Sequence, residues 1–125
     1  QVGDTRGSSY RRLVYKRYAS QAAVIGIVLY NAPVGAAAWG HVAAATDWRA
    51  AAERGGNSVL AENPKLLVLV GGIDHEADGS GTLWGGAPGF VGNSPVRLSV
   101  ADRLGFSPHY YPSPIFGHAL FSASN

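Results

Sequence analysis

The sequence predicts an α/β fold in which about three parallel strands are joined by two to three helices. Two short apolar runs rich in β-branched residues, at 23–30 and 65–70, are typical of strands buried in a parallel sheet. A segment of helical length separates them, and a third short run follows at 104–107. The order helix, strand, helix, strand, loop, strand is that of parallel crossover connections. The 125 residues suffice for one domain with one core.

The first half of the chain predicts a helix and then a strand. Residues 1–7 are polar and contain glycine, so we expect a loosely ordered start, and we expect the same at the other end, over 112–125. Over 8–20, apolar residues recur at helical spacing after a serine that is suited to cap the helix. The strand that follows ends abruptly in Asn31-Ala32-Pro33, at the rim to which a buried strand delivers polar groups.

The second half of the chain predicts one long helix before the second strand. Thr46 is suited to cap this helix, which we expect to run to about Glu62. Asn63-Pro64 ends it, because proline disfavours a helical conformation in the residue before it. The pair Gly55-Gly56 inside the helix costs roughly 1 kcal/mol per glycine, which indicates a close packing contact.

Composition limits the partners and cofactors that the chain is expected to use. The formal net charge of +2 is too small to indicate a polyanionic partner, and the basic face of the first helix is more typical of a solvated surface than of nucleic-acid binding. The chain has no cysteine, which excludes disulfides and thiolate metal sites. It has no apolar run of about 18 residues, so no membrane partner is predicted.

A set of motifs runs in order from about Ser9 to Tyr111. The motifs are KRYASQ at 16–21, VIGI at 24–27, NAP at 31–33, WG at 39–40, DWR at 47–49, AER at 52–54, LLVLV at 66–70, WGG at 84–86, PVRL at 95–98 and SPHYY at 107–111. Each is weak alone, but the ordered set resembles a bacterial cellulase, an endo-β-1,4-glucanase, of glycoside hydrolase family 5. The resemblance implies a secreted protein that contacts β-glucan.

The resemblance also sharpens the predicted fold. A complete eight-stranded barrel takes roughly 250 residues, so a chain of this length is expected to form a partial (β/α) TIM-barrel-like unit. Such a unit can be a fragment, assemble with copies of itself, or refold as a small open sheet. Because three parallel strands leave two open edges, we expect a homo-oligomer.

The catalytic carboxylates of the family are missing from their expected places. Retaining glycosidases need two carboxyl groups about 5–5.5 Å apart, one as acid/base and one as nucleophile. In the family that the chain resembles, the residue between Asn31 and Pro33 is the glutamate acid/base, and here it is Ala32. The nucleophile is expected on a later strand, beyond Asn125. We therefore expect family-type hydrolysis to be lost or very weak, with Glu76 and Asp78 as the nearest alternative carboxylates.

Other departures from the family pattern fall near the predicted strand ends. The family typically has charged or polar side chains where this chain has Val28, Tyr30, Val34, Gly71 and Tyr110. The change indicates removal of a charged cleft. An alternative function is therefore a binding module, natural or engineered, whose apolar pocket takes a small apolar ligand.

Six residues are candidates for substrate binding at the rim. They are Asn31, His109, Tyr111, Trp84, Tyr30 and Tyr110. By resemblance, Asn31 and His109 hydrogen-bond the sugar, and Tyr111 matches a tyrosine near the cleavage point. Trp39 has two interpretations, stacking on a sugar ring or packing in the core or at the barrel edge, and packing is the more common role of a tryptophan.

An acidic loop offers a candidate metal site. Asp74, Glu76 and Asp78 stand at alternate positions before a glycine, as in the first half of a calcium loop. The twelfth position is Gly85 instead of a glutamate, so the complete loop motif is absent. The alternatives are a solvated acidic loop, or a metal-dependent enzyme in which His75 and His109 add ligands. No other cofactor is predicted.

Overall fold

The computed structural model describes residues 15–30, 33, 35–40, 45–75 and 91–109. In them, three parallel strands form one sheet with the middle strand second in chain order. The strands are β1 (Gly26–Val28), β2 (Leu67–Val70) and β3 (Leu104–Phe106). In register, Ile27 pairs with Val68, and Val68 pairs with Leu104 on its other side. The predicted α/β fold with three parallel strands is confirmed.

The regular strands are shorter than the apolar runs that predicted them. The run at 23–30 is regular only over β1, although the Leu29 N–H still donates to the Leu69 carbonyl at 3.1 Å. β3 likewise ends at Phe106, one residue before the Ser107 N–H donates to the Val70 carbonyl at 3.0 Å. Apolar runs locate strands but overestimate their length, because flanking residues such as Leu29 also pack in the core.

The long helix, α1, spans Trp48–Glu62, and its N-cap is Asp47. The prediction that Thr46 caps the helix is wrong. The Asp47 carboxylate is the group that reaches the first turn, where its Oδ1 accepts from the Ala50 N–H at 3.1 Å. The helix ends as predicted, with Asn63 at the C-cap before Pro64. Of the predicted first helix, residues 15–18 are helical, and its start lies outside the described residues.

The core lies between α1 and one face of the sheet. The buried positions of the helix recur every three to four residues and are Trp48, Ala52, Gly56, Val59 and Leu60. Val68 and Val70 of β2 are fully buried on the face of the sheet that packs against the helix. A Cβ added at Gly56 would lie 2.6 Å from Leu98 Cδ2 and 3.2 Å from Val68 Cγ1. The predicted close packing contact is therefore made by Gly56.

The opposite face of the sheet is partly exposed along β1 and β2. Val28 is 46% exposed and Leu67 is 37% exposed. Val28 pairs in register with Leu69, whose Cδ2 lies 2.7 Å from where a Cβ at Gly105 would be. Leu69 therefore covers the bare backbone of β3. Within the described residues, β1 and β3 each pair along one edge.

Polar side chains of α1 hold the segment that leads into β3. The Glu53 carboxylate accepts from the Arg97 N–H at 2.9 Å, and the Asn57 side-chain oxygen accepts from the Ser99 N–H at 2.7 Å. The same Glu53 oxygen pairs with the Arg49 guanidinium at 2.8 Å. These contacts hold the segment before β3 against the helix and so help to fix the position of β3.

The predicted loose ends at 1–7 and 112–125 lie outside the described residues. No helix in the described ranges is both long and apolar enough to cross a membrane.

Candidate functional site

The carboxyl ends of the three strands meet along one edge of the sheet, because the strands are parallel. We define the rim as the described residues that follow the strands at this edge: Tyr30 after β1, residues 71–75 after β2, and residues 107–109 after β3. Parallel α/β sheets bind their ligands at this edge. The rim is therefore the candidate functional site, and it contains four of the residues proposed from the sequence as binding residues or metal ligands: Tyr30, Asp74, His75 and His109.

An aromatic pair forms one side of the rim. The ring of Tyr30 lies 5.9 Å from the ring of Trp48, at an interplanar angle of 61°, in an edge-to-face contact. Trp48 is buried, and its Nε1–H donates to the Gly71 carbonyl at 2.9 Å. Tyr30 is 50% exposed. A rigid, buried tryptophan therefore supports a tyrosine that faces solvent.

Asp74 connects the loops that follow β1 and β2. One carboxylate oxygen, Oδ2, accepts from the Gly35 N–H at 3.1 Å, and the other, Oδ1, lies 2.8 Å from Nδ1 of His75. Burial tends to raise the pKa of Asp74, but the hydrogen bonds from His75 and Gly35 outweigh it, and the net effect is a lowered pKa. Asp74 is therefore an ionised hydrogen-bond acceptor, and it restrains the orientation of the His75 ring.

His109 and Trp39 take different positions relative to the rim. His109 follows β3 by three residues, and its Nδ1 atom is shielded from solvent. Trp39 is 5% exposed, its Nε1–H donates to the Ser94 carbonyl at 2.7 Å, and its ring lies 6.3 Å from that of Phe106. The packing interpretation of Trp39 is confirmed. The interpretation that Trp39 stacks on a sugar ring is wrong, because the ring is enclosed in the core.

The predicted metal ligands are not brought together within the described residues. There, no three His, Asp or Glu side chains cluster so as to hold a metal ion. Asp74 uses both carboxylate oxygens in hydrogen bonds to its neighbours. Glu76 and Asp78 lie outside the described residues, so the calcium-loop interpretation stays a prediction.

Other predicted site residues also lie outside the described part of the chain. They are Asn31, Ala32, Val34, Trp84, Tyr110 and Tyr111. In turn, the structure adds two residues that sequence reasoning did not assign to the site. These are Trp48, which supports Tyr30, and Gly35, which anchors Asp74. The position of Trp48 next to the helix start was a usable signal, since α1 begins at the rim.

The rim as described is suited to binding. It presents an exposed aromatic ring, an oriented imidazole and a fixed carboxylate. These groups can stack on a ligand and hydrogen-bond to it. Within the rim as defined, Asp74 supplies the carboxylate, and its lowered pKa makes it a poor proton donor near neutral pH.

Comparisons with known proteins point to one family. Residues 7–123 match the family described as Cellulase (glycosyl hydrolase family 5). An endoglucanase of Paenibacillus polymyxa is 43% identical over 124 residues, which are 98% of this chain and 31% of the relative. The major extracellular endoglucanase of Xanthomonas campestris pv. campestris is 41% identical over 117 residues, 91% of this chain and 24% of the relative. The chain thus spans about a quarter to a third of the length of these relatives.

Solved structures show the same likeness in three dimensions. The catalytic domain of the major Xanthomonas campestris endoglucanase has a TM-score of 0.84 at 40% identity and covers 94% of this chain, which corresponds to 35% of that domain. An endocellulase of Pyrococcus horikoshii in complex with cellotetraose has a TM-score of 0.83 at 30% identity, covering 91% of this chain and 35% of that one. These likenesses confirm the predicted partial TIM-barrel-like unit.

Proposed function

Since this chain belongs to the cellulase family of glycosyl hydrolases, family 5, we propose that it contacts β-1,4-glucan at the rim and that family-type hydrolysis is lost or very weak. The observation that carries the proposal is Ala32, which stands between Asn31 and Pro33 where the resemblance places the acid/base glutamate. The chain keeps a part of the family scaffold, and it has alanine at the expected position of the proton donor.

Binding is supported by the chemistry of the rim and by the relatives. An endocellulase, 35% of which corresponds to this chain, is known in complex with cellotetraose. In this chain, Tyr30 offers an exposed ring, and His75 and His109 offer imidazoles at the same edge of the sheet. We include Asn31, Trp84, Tyr110 and Tyr111 in the proposed contact region on the basis of their sequence motifs.

Weak hydrolysis follows from the missing proton donor. Loss of a general acid typically costs about 10²–10⁴-fold in rate. Asp74 cannot take over this role efficiently, because its lowered pKa keeps it ionised. Glu76 and Asp78 are the remaining carboxylates nearby in sequence, and any residual activity is proposed to depend on them.

The decisive experiment incubates the purified chain with cellohexaose and follows the products by mass spectrometry. Binding of the same oligosaccharide is measured by calorimetry in parallel. We expect binding without cleavage. Cleavage at the rate of the Paenibacillus polymyxa endoglucanase would refute the loss of activity. A chelator-treated sample is the control, because cleavage that disappears with the metal would favour the metal-dependent alternative at Asp74, Glu76 and Asp78.

A second candidate function is the binding of a small apolar ligand. The observation that favours it is the exposure of Val28 and Tyr30, which are 46% and 50% exposed at positions where the family typically has polar side chains. An apolar fluorescent dye should then bind the chain, and soluble cello-oligosaccharides should not displace it. Displacement by cellohexaose would instead assign the same surface to glucan.

The relatives also support a proposal about location. One of them is named an extracellular endoglucanase, and we propose that this chain likewise acts outside the cell. Detection of the chain in the culture supernatant or the cell fraction of its source tests this directly.

A further inference from the structure

Tyr30 differs from an ordinary exposed tyrosine in the way that its ring is held. Its ring contacts Trp48 edge-to-face with centroids 5.9 Å apart, and Trp48 is itself fixed by a buried hydrogen bond to the Gly71 carbonyl. Trp48 is the first residue of α1, directly after the N-cap Asp47. These contacts therefore connect the exposed ring of Tyr30 to the end of β2 and to the start of the helix, both of which are rigid elements.

The position of Tyr30 places this ring where a ligand of the sheet would lie. It follows β1 by two residues, at the carboxyl end of the strand. Half of its surface is exposed, although the tryptophan that it contacts is 5% exposed. An aromatic ring that contacts a fixed, buried neighbour and is half exposed to solvent loses little conformational entropy when it binds, and a flat apolar surface is a suitable partner for such a ring.

We propose that Tyr30 is a stacking platform for one glucosyl ring of a β-1,4-glucan, and that Trp48 is the positioning residue that fixes its orientation. This inference rests on the proposed glucan contact. A β-glucosyl ring carries its hydroxyls around its equator and presents C–H groups on its faces. Such a face can lie against an aromatic ring, while the hydroxyls remain available to polar groups of the rim such as His75.

The resemblance does not supply this platform, since the family typically has histidine at this position. An imidazole would act there mainly as a hydrogen-bonding group, whereas the phenol ring offers a larger apolar face. The inference therefore concerns a contact that this chain has and that the family pattern lacks. It predicts that the ring of Tyr30, and not its hydroxyl, contributes most of this residue's binding free energy.

The test measures cellohexaose binding by calorimetry on the purified chain and on matched variants. We expect Tyr30→Ala to weaken binding by about tenfold, which corresponds to roughly 1.4 kcal/mol. Tyr30→Phe keeps the ring and should stay within roughly twofold of the wild type. Tyr18→Ala is the control, because Tyr18 has a similar exposure of 46% but precedes β1, at the opposite end of the strand.

Trp48 is tested through its coupling to Tyr30. Trp48→Phe removes the hydrogen bond to Gly71 but keeps an aromatic ring. If Trp48 acts through Tyr30, this substitution weakens binding severalfold in the wild type and has no further effect in the Tyr30→Ala background. Independent, additive losses would overturn the positioning role. The Tyr30 variants leave the core intact, so they test the stacking role of Tyr30 even if Trp48→Phe does not fold.

The outcomes separate this inference from the proposed function. Absence of cellohexaose binding by the wild-type chain overturns the glucan contact and the platform with it. Binding that is equal in wild type, Tyr30→Ala and Tyr18→Ala overturns the platform and leaves the glucan contact in place. Loss of binding in Tyr30→Phe as well as in Tyr30→Ala would assign the contact to the hydroxyl and overturn stacking.

Discussion

At the scale of single residues, two carboxylates show how the same chemical group serves different ends. The buried Asp47 satisfies backbone N–H groups at a helix start, while the half-buried Asp74 connects two loops of the rim. Both accept hydrogen bonds from backbone N–H groups of residues that are not their neighbours in the chain. Each therefore stabilises a local arrangement that an alanine would lose, and each yields a prediction.

The Asp47 side chain should be the more important for stability. Its Oδ1 accepts from the N–H groups of Gly40 and Ala50, both at 3.1 Å, in a buried setting. Loss of an N-cap typically costs about 0.5–2 kcal/mol, so Asp47→Ala should destabilise the chain towards the upper end of that range. Urea denaturation measures the loss. Thr46→Ala is the control and should cost less, because it leaves the Asp47 carboxylate in place; the reverse order would contradict the assignment of the cap.

The contribution of Asp74 should depend on pH. Its pKa is lowered from the ordinary 3.8, so its hydrogen bonds stabilise the folded state above that pH, and the contribution is lost as the pH falls through the lowered value. Asp74→Asn should therefore be less stable than wild type near pH 6, by under roughly 1 kcal/mol because the site is partly solvated, and the difference should vanish on acidification.

Denaturation at several pH values from about 6 down to about 2 checks this expectation, since that interval begins above the ordinary pKa of an aspartate and extends well below it. Asp102→Asn at an exposed position is the control for the change of charge. A stability difference between wild type and Asp74→Asn that grows on acidification would contradict the sign of the shift.

At the scale of elements, α1 both packs on the sheet and holds a neighbouring segment in place. One face packs on β2, and its polar side chains hold the segment that leads into β3. The two glycines in its middle lie side by side in sequence but face different surroundings. Gly56 approaches Leu98 and Val68 closely, whereas a Cβ at Gly55 would meet Leu29 at an ordinary 3.6 Å.

The two glycines should respond in opposite directions to alanine. Gly55→Ala gains helix propensity of up to about 1 kcal/mol without a clash, so it should stabilise the chain. Gly56→Ala places a Cβ 2.6 Å from Leu98 Cδ2, which can move aside, and 3.2 Å from Cγ1 of Val68, which is branched and fully buried. Overpacking of this kind typically costs about 1–3 kcal/mol, which outweighs the same gain. Thermal and urea denaturation of both variants measures the difference. Equal effects at the two positions would refute the packing assignment.

At the scale of the whole molecule, the sheet is a part of a barrel. The chain matches about a third of a family catalytic domain, and a sheet of three parallel strands does not close on itself. In the described residues, the outer edges of β1 and β3 are unpaired, and Val28, Tyr30 and Leu67 expose apolar surface. Open edges beside apolar surface favour association with another chain.

We therefore expect the purified chain to self-associate as a homo-oligomer. Light scattering after size-exclusion chromatography should give a mass of at least two chains at micromolar concentration, and the mass should fall on dilution. A charge placed on the exposed face, as in Val28→Lys, should weaken the association, and Tyr18→Lys is the matched control. A monomeric mass together with a cooperative melt would contradict the expectation.

Local patterns in the sequence were enough to predict the fold class, the number and order of the strands, the end of α1 and the family. These follow from apolar runs, from Asn63-Pro64 and from ordered motifs, which are local in the chain. These patterns also placed Tyr30 and His109 at the rim. The enclosure of Trp39 and the set of residues that meet at the rim could be read only from the folded structure. Those facts depend on contacts between residues far apart in sequence, such as Gly35 with Asp74 and Trp48 with Gly71, and no local pattern encodes which distant group a side chain meets.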